Sequence, residues 1–151
     1  MVKIGVVSEQ VITTPTETDI ESIARQLLRV NELALEHLGR LLADDESDLE
    51  ALQELLNERV LARDATYELQ CLGIVLGTCL VEAIEGIDWV MVEDEYGRDP
   101  ALRYQETSLV IFPLTMISKR VEDGIEVDVR HMFDFLCERI EELKEEILQP
   151  N

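Results

Sequence analysis

Basic residues are scarce in this chain: 13 lysines and arginines stand against 33 aspartates and glutamates, a formal net charge of -20. An excess of that sign repels phosphate backbones and anionic bilayers, so it argues against nucleic-acid and membrane-surface binding. Cysteine is sparse and odd in number. Cys71, Cys79 and Cys137 show neither CxxC nor Cys/His ligand spacing, which excludes a disulfide framework or a zinc module and fits a reducing compartment. On one helix Cys71 and Cys79 would stand about 12 Å apart along the axis, beyond disulfide reach. Long apolar runs are missing too. The longest uncharged stretch, Leu69 to Val81, is shorter than the about 20 residues a membrane-spanning helix needs. Near the N-terminus Gly5, Ser8, Glu9 and Gln10 interrupt the apolar stretch a secretory signal requires. A cytoplasmic protein is expected.

What is present suits one folded domain over residues 1–151. Hydrophobic residues make up 46% and charged residues 30% of the 151 positions, enough for a core and a solvated shell. No linker, internal repeat or low-complexity segment divides the chain.

The residue pattern predicts an α+β fold. Lys3 to Thr13 is rich in Val and Ile and reads as a short strand or extended arm ending near Pro15. Thr18 and Glu21 form a capping box, and apolar residues then recur at helical spacing to about Ala43. Ser47 and Glu50 repeat the device for a second helix, which would make an N-terminal helical hairpin with the first. Thr66 to Ile84 is apolar on nearly every side and is expected as the central buried helix. Gly73 and Gly77 cost that helix stability, which signals another backbone close by. Three β-prone runs, Trp89 to Val92, Ala101 to Tyr104 and Ser108 to Phe112, predict an antiparallel meander, with Tyr96-Gly97-Arg98-Asp99 as its first turn. C-terminal helices follow: one begins at Pro113 and is closed by Gly124, and the last is capped by Asp128.

Two blocks within this region are distinctive: Trp89-Val90-Met91-Val92-Glu93-Asp94-Glu95-Tyr96-Gly97-Arg98 and Phe112-Pro113-Leu114-Thr115-Met116-Ile117-Ser118-Lys119-Arg120. They resemble a bacterial domain family of unknown function, whose members carry similar W-V-x-V-E-D-E-Y-G-R and F-P-x-T-M-I-S-K-R blocks. The resemblance covers about Leu72 to Phe135. It implies a fold relationship and no reaction.

The same blocks concentrate cations. A candidate anionic-ligand site between the meander and the Pro113 helix comprises Tyr96, Arg98, Arg103, Thr115, Ser118, Lys119 and Arg120, gathered where helix N-terminal N–H groups favour an anion. The plainer expectation is that Arg98 and Arg103 pair with Glu93, Asp94 and Glu95 across the hairpin. Those carboxylates do not converge for metal binding, since Glu93 and Glu95 share one face of a strand and Asp94 takes the other. His37 and His131 have no partner at ligand spacing, and Ser118 lacks a nucleophile elbow. No cofactor is expected.

Two functions are therefore in contention. The first is a non-catalytic, immunity- or antitoxin-like module that docks a basic protein partner on an acidic helical face. Glu50, Glu54 and Glu58, four residues apart, are its candidate contacts, and Glu138 to Glu146 is a second cluster. The other is a small-molecule site, enzymatic or regulatory, at the basic cluster. A homo-oligomer is compatible with both.

Overall fold

The computed structural model describes residues 4–6, as backbone, and residues 10–148. Among the described residues five helices and five strands run in the order β1 (Ile4–Val6), β2 (Val11–Thr13), α1 (Glu17–Leu38), α2 (Asp48–Asn57), α3 (Thr66–Ala83), β3 (Ile87–Asp94), β4 (Gly97–Tyr104), β5 (Leu109–Ile111), α4 (Met116–Glu122) and α5 (Val129–Leu148). A 3-10 turn, Pro113–Thr115, leads into α4. The fold is α+β, as the residue pattern predicts.

Helix α1 begins two residues after Pro15. Thr16, not Thr18, is its N-cap: the Thr16 hydroxyl accepts from the Asp19 N–H at 3.2 Å and the Asp19 carboxylate accepts from the Thr16 N–H at 2.8 Å. Both threonines have an acid three residues on, and the earlier pair wins because it adds helical hydrogen bonds. The helix also ends earlier than expected, at Leu38 rather than near Ala43. Gly39 adopts the left-handed conformation (φ 71°) and its N–H donates to Leu35 O at 3.2 Å, a stop that only glycine takes without strain.

The start of α2 also departs from the expected capping box. Ser47 makes no capping bond with its side chain, being held instead by the Asp45 carboxylate. Asp48, 5% exposed, reaches back and accepts from the N–H groups of Ala43 at 2.7 Å and Asp44 at 3.0 Å. The loop before α2 is thus organised by a buried carboxylate.

Helix α3 is the centre of the core. Leu69, Cys71, Leu72, Ile74, Val75, Leu76 and Leu80 are all buried, and α1, α2, α4 and the sheet pack around it. Gly73 and Gly77 lie where the 3-10 turn and Trp89 press closest.

The strands form one antiparallel sheet in the order β1-β5-β4-β3-β2. The three-stranded meander is its middle. Residues 3–13, read as a single strand or arm, instead supply a three-residue strand to each edge: β1 against β5 and β2 against β3. Along the meander the faces alternate. Trp89, Leu102, Tyr104, Leu109 and Ile111 join the core around α3, while Val90, Val92, Ala101, Val110 and Phe112 form a smaller cluster with Ile12. Asp94 pairs with Gly97, so the first turn is Glu95-Tyr96, two residues before the position expected from the glycine.

Beyond the sheet, α4 closes with Gly124 at φ 73°, and the Asp128 carboxylate accepts from the His131 N–H at 3.0 Å to cap α5.

Candidate functional site

The residues expected to form the basic cluster are spread along the sheet and into the core. Tyr96 stands at the hairpin tip, 89% exposed, where its N–H donates to Asp94 Oδ1 at 2.8 Å. Arg98 is opposite Glu93 in register, yet its guanidinium pairs with Asp19 of α1 at 2.6 Å. Arg103 lies five residues further along β4, about 16 Å away, and donates through Nε to Thr107 O at 2.6 Å. Neither arginine makes the cross-hairpin pairing with Glu93 to Glu95 expected from the sequence: Arg98 turns from Glu93 to Asp19, and register sets Arg103 opposite Asp88, five residues from Glu93. Their actual partners, Asp19 and the Thr107 carbonyl, come from segments fixed by a capping box and a turn.

On α4, Ser118 is buried and its hydroxyl meets Thr115 O at 3.5 Å. Arg120 donates to Met116 O at 3.3 Å. Lys119 is exposed and Thr115 half-buried. With seven residues, α4 aligns few peptide dipoles.

The acidic candidates are in the open. Glu50, Glu54 and Glu58 are exposed along and just beyond α2, and Glu54 pairs with Arg40. On α5, Glu138, Glu141, Glu142, Glu145 and Glu146 are exposed too. Two of them take partners on the same helix, Glu142 with Arg139 at 3.2 Å and Glu141 with Lys144 at 3.2 Å. Exposed pairs of this kind contribute little stability.

A surface that composition did not single out lies on α1. Ile20, Leu28 and Leu35 are 58%, 58% and 56% exposed, and with exposed Ala24 they fall within about 80° of one another around the helix. Beside this stripe, away from buried Val30, Leu33 and Ala34, run the exposed side chains of Glu17, Glu21, Glu32 and Glu36, interrupted by Arg25. The signal was present in the sequence for Leu28 and Leu35, which stand one residue past Leu27 and Ala34 on the core-facing repeat, whereas Ile20 continues that repeat and is nonetheless exposed.

A concavity also lies elsewhere than expected. A cleft of about 870 Å³ opens between the α2–α3 connection and the α4–α5 connection, lined by Leu55, Leu56, Leu61, Leu69, Val121 and Val127 with Gln53, Asn57, Arg59, Arg63 and Glu126 at its polar positions. Gln53 ties its two sides together: Nε2 donates to Val127 O at 3.0 Å and Oε1 accepts from the Val129 N–H at 2.8 Å. Arg63 donates to Val121 O at 3.3 Å and Glu122 O at 3.0 Å.

Burial raises the thiol pKa values of the chain. All three cysteines are free thiols; loss of water pushes Cys79 up to about 12 and Cys137 up to about 11, and raises Cys71 as well. Among the described residues no three His, Cys, Asp or Glu side chains are arranged to hold a metal ion, and no helix is long and apolar enough to cross a membrane.

Comparison with known proteins adds a family and a fold. Residues 48–133 match the family model described as "Domain of unknown function (DUF3806)", from the start of α2 into α5. The match begins earlier than the Leu72 to Phe135 span of the sequence resemblance, includes the whole cleft, and leaves out α1. A crystal structure of a protein from Bacteroides thetaiotaomicron VPI-5482 superposes with a TM-score of 0.76 at 20% sequence identity, over 84% of this chain and 47% of that one. At that identity the likeness is one of fold, and this chain spans about half the length of its neighbour. No curated protein matches.

Proposed function

We propose, for a chain that belongs to the DUF3806 family of domains of unknown function, that it is a non-catalytic interaction module which docks a basic protein partner, as immunity or antitoxin proteins do. The observation that carries this reading is the outer face of α1, where exposed Ile20, Leu28 and Leu35 run beside Glu17, Glu21, Glu32 and Glu36. An apolar stripe with an acidic border is complementary to an amphipathic helix with basic flanks. A second copy of this chain is a poor occupant, because two bodies of net charge -20 repel.

The stripe supplies apolar area and the carboxylates supply orientation. Glu50, Glu54 and Glu58 on α2, with the acidic face of α5, extend the negative field that steers a cationic partner to the surface. A non-catalytic role accords with thiols held protonated by burial and a Ser118 hydroxyl turned to a backbone carbonyl. Because α1 lies outside the matched residues 48–133, this docking face is a property proposed for the present chain, not for its whole family.

Calorimetric titration with an idealised Leu/Lys amphipathic peptide tests the proposal. Binding is expected to weaken steeply with salt, and Leu28→Ser with Leu35→Ser is expected to reduce affinity at least about tenfold with the melting temperature unchanged. Equal affinity in the wild type and the double variant would show that the peptide senses charge alone and would overturn the proposed face.

A further inference from the structure

We infer that the cleft between the C-terminal ends of α2 and α4 binds an amphiphilic carboxylate, a ligand with an apolar body and one anionic head. This goes beyond the α1 docking face and is independent of it, since the cleft is built wholly from residues 53–127.

The walls account for the apolar body. Leu56, Leu61 and Val121 are half-buried and Ile125 is exposed, so they offer the apolar contact surface, and Leu55, Leu69 and Val127, 1%, 0% and 7% exposed, back them as a fixed layer beneath. The cleft's volume of about 870 Å³ falls within the range of small-molecule sites, roughly 300 to 1,000 Å³.

The head group follows from Arg59. Helices α2 and α4 end in the same way: the N–H of Val60 donates to Leu55 O at 3.4 Å and that of Ile125 to Arg120 O at 2.8 Å, while Arg59 and Gly124 donate to Leu56 O and Val121 O at 3.1 and 3.0 Å. Both ends require a residue with positive φ. In α4 it is Gly124, at φ 73°; in α2 it is Arg59, at φ 52°. A side chain is strained in this position, so arginine there retains a long cation at the rim at the expense of backbone comfort. Among the described residues no ion pair or hydrogen bond occupies the Arg59 side chain.

Arg63 completes the mouth. Its bonds to Val121 O and Glu122 O hold the guanidinium in place and cover the carbonyls that would otherwise turn the negative end of α4 towards a ligand. Glu126 also lines the cleft, and the whole chain is acidic. A polyanion such as a phosphate ester would meet that repulsion with little apolar burial to offset it, whereas a monocarboxylate brings one charge and a body for the apolar walls.

The test uses octanoate below its micellar concentration, with octan-1-ol and inorganic phosphate as counterparts, read by amide NMR shifts and thermal melting of the full chain. Octanoate is expected to shift the amides of residues 56–63 and 121–127 and to bind at least several-fold more tightly than octan-1-ol, with no effect from phosphate. Arg59→Gly suits the left-handed backbone, so it is expected to keep or raise the melting temperature while abolishing the preference for octanoate; Arg59→Lys is expected to restore part of it. Absence of amide shifts with octanoate, equal binding of octanoate and octan-1-ol, or a preference that survives in Arg59→Gly would each overturn the inference.

Discussion

A Cβ on Gly73 would stand 2.5 Å from the carbonyl oxygen of Pro113 and 2.6 Å from that of Leu114. The central helix therefore touches the 3-10 turn backbone to backbone at Gly73, and one turn on, at Gly77, it meets Trp89 and Pro113, one residue from each of the two blocks that most distinguish the chain. Gly73→Ala is expected to destabilise the protein by about 2–3 kcal/mol, because backbone must move to admit the methyl group. Gly77→Ala meets the Trp89 ring and the Pro113 ring at 2.6 and 2.9 Å and is expected to cost less, since a side chain can yield. Denaturant melts of the two variants check the order; a Gly73→Ala protein as stable as the wild type would contradict the contact.

Asp48 offers a second test of what organises the fold. Its carboxylate is the buried acceptor for the N–H groups of Ala43 and Asp44, so Asp48→Ala leaves two donors short of a partner. The expected loss is about 2 kcal/mol. Ser47→Ala, by contrast, removes a hydroxyl that makes no capping bond, and its melting temperature is expected to stay near that of the wild type. The reverse order in thermal melts would restore the serine as the cap.

The buried thiols predict the alkaline side of the stability profile. Desolvation lifts Cys79 to about 12 from an ordinary 9.0, so between those pH values the unfolded chain releases a proton that the folded chain retains. Stability from this group is fully present below pH 9.0 and falls as pH rises towards about 12. Urea titrations across that window are expected to show a steeper decline for the wild type than for Cys79→Ala. Parallel slopes would mean that the thiol titrates normally in the folded state.

Much of the fold was legible because its signals are local and strong. The uncharged run around Leu72, Leu76 and Leu80 can only be buried, and the paired glycines on α3 announced a close neighbour. Helix limits were less legible, since Thr16 and Thr18 each precede an acid by three residues and only the two extra helical residues decide between them. The three-residue edge strands carry too little pattern to be distinguished from a single arm. The placement of Arg98 depends on Asp19, 79 residues away, a proximity that no spacing in the chain encodes. The cleft was missed for the same reason, because Arg59 and Val127 become neighbours only once α2, α4 and α5 have packed.

The most direct test of the docking proposal is to map where a Leu/Lys amphipathic peptide contacts the isotope-labelled protein by amide chemical-shift changes at near-physiological salt. The predicted result is a continuous set of shifts along α1, at Ile20, Ala24, Leu28 and Leu35 and their acidic neighbours, which disappears in the Leu28→Ser, Leu35→Ser variant. Shifts centred on Glu50, Glu54 and Glu58 or on the α5 carboxylates, with α1 unchanged, would contradict it.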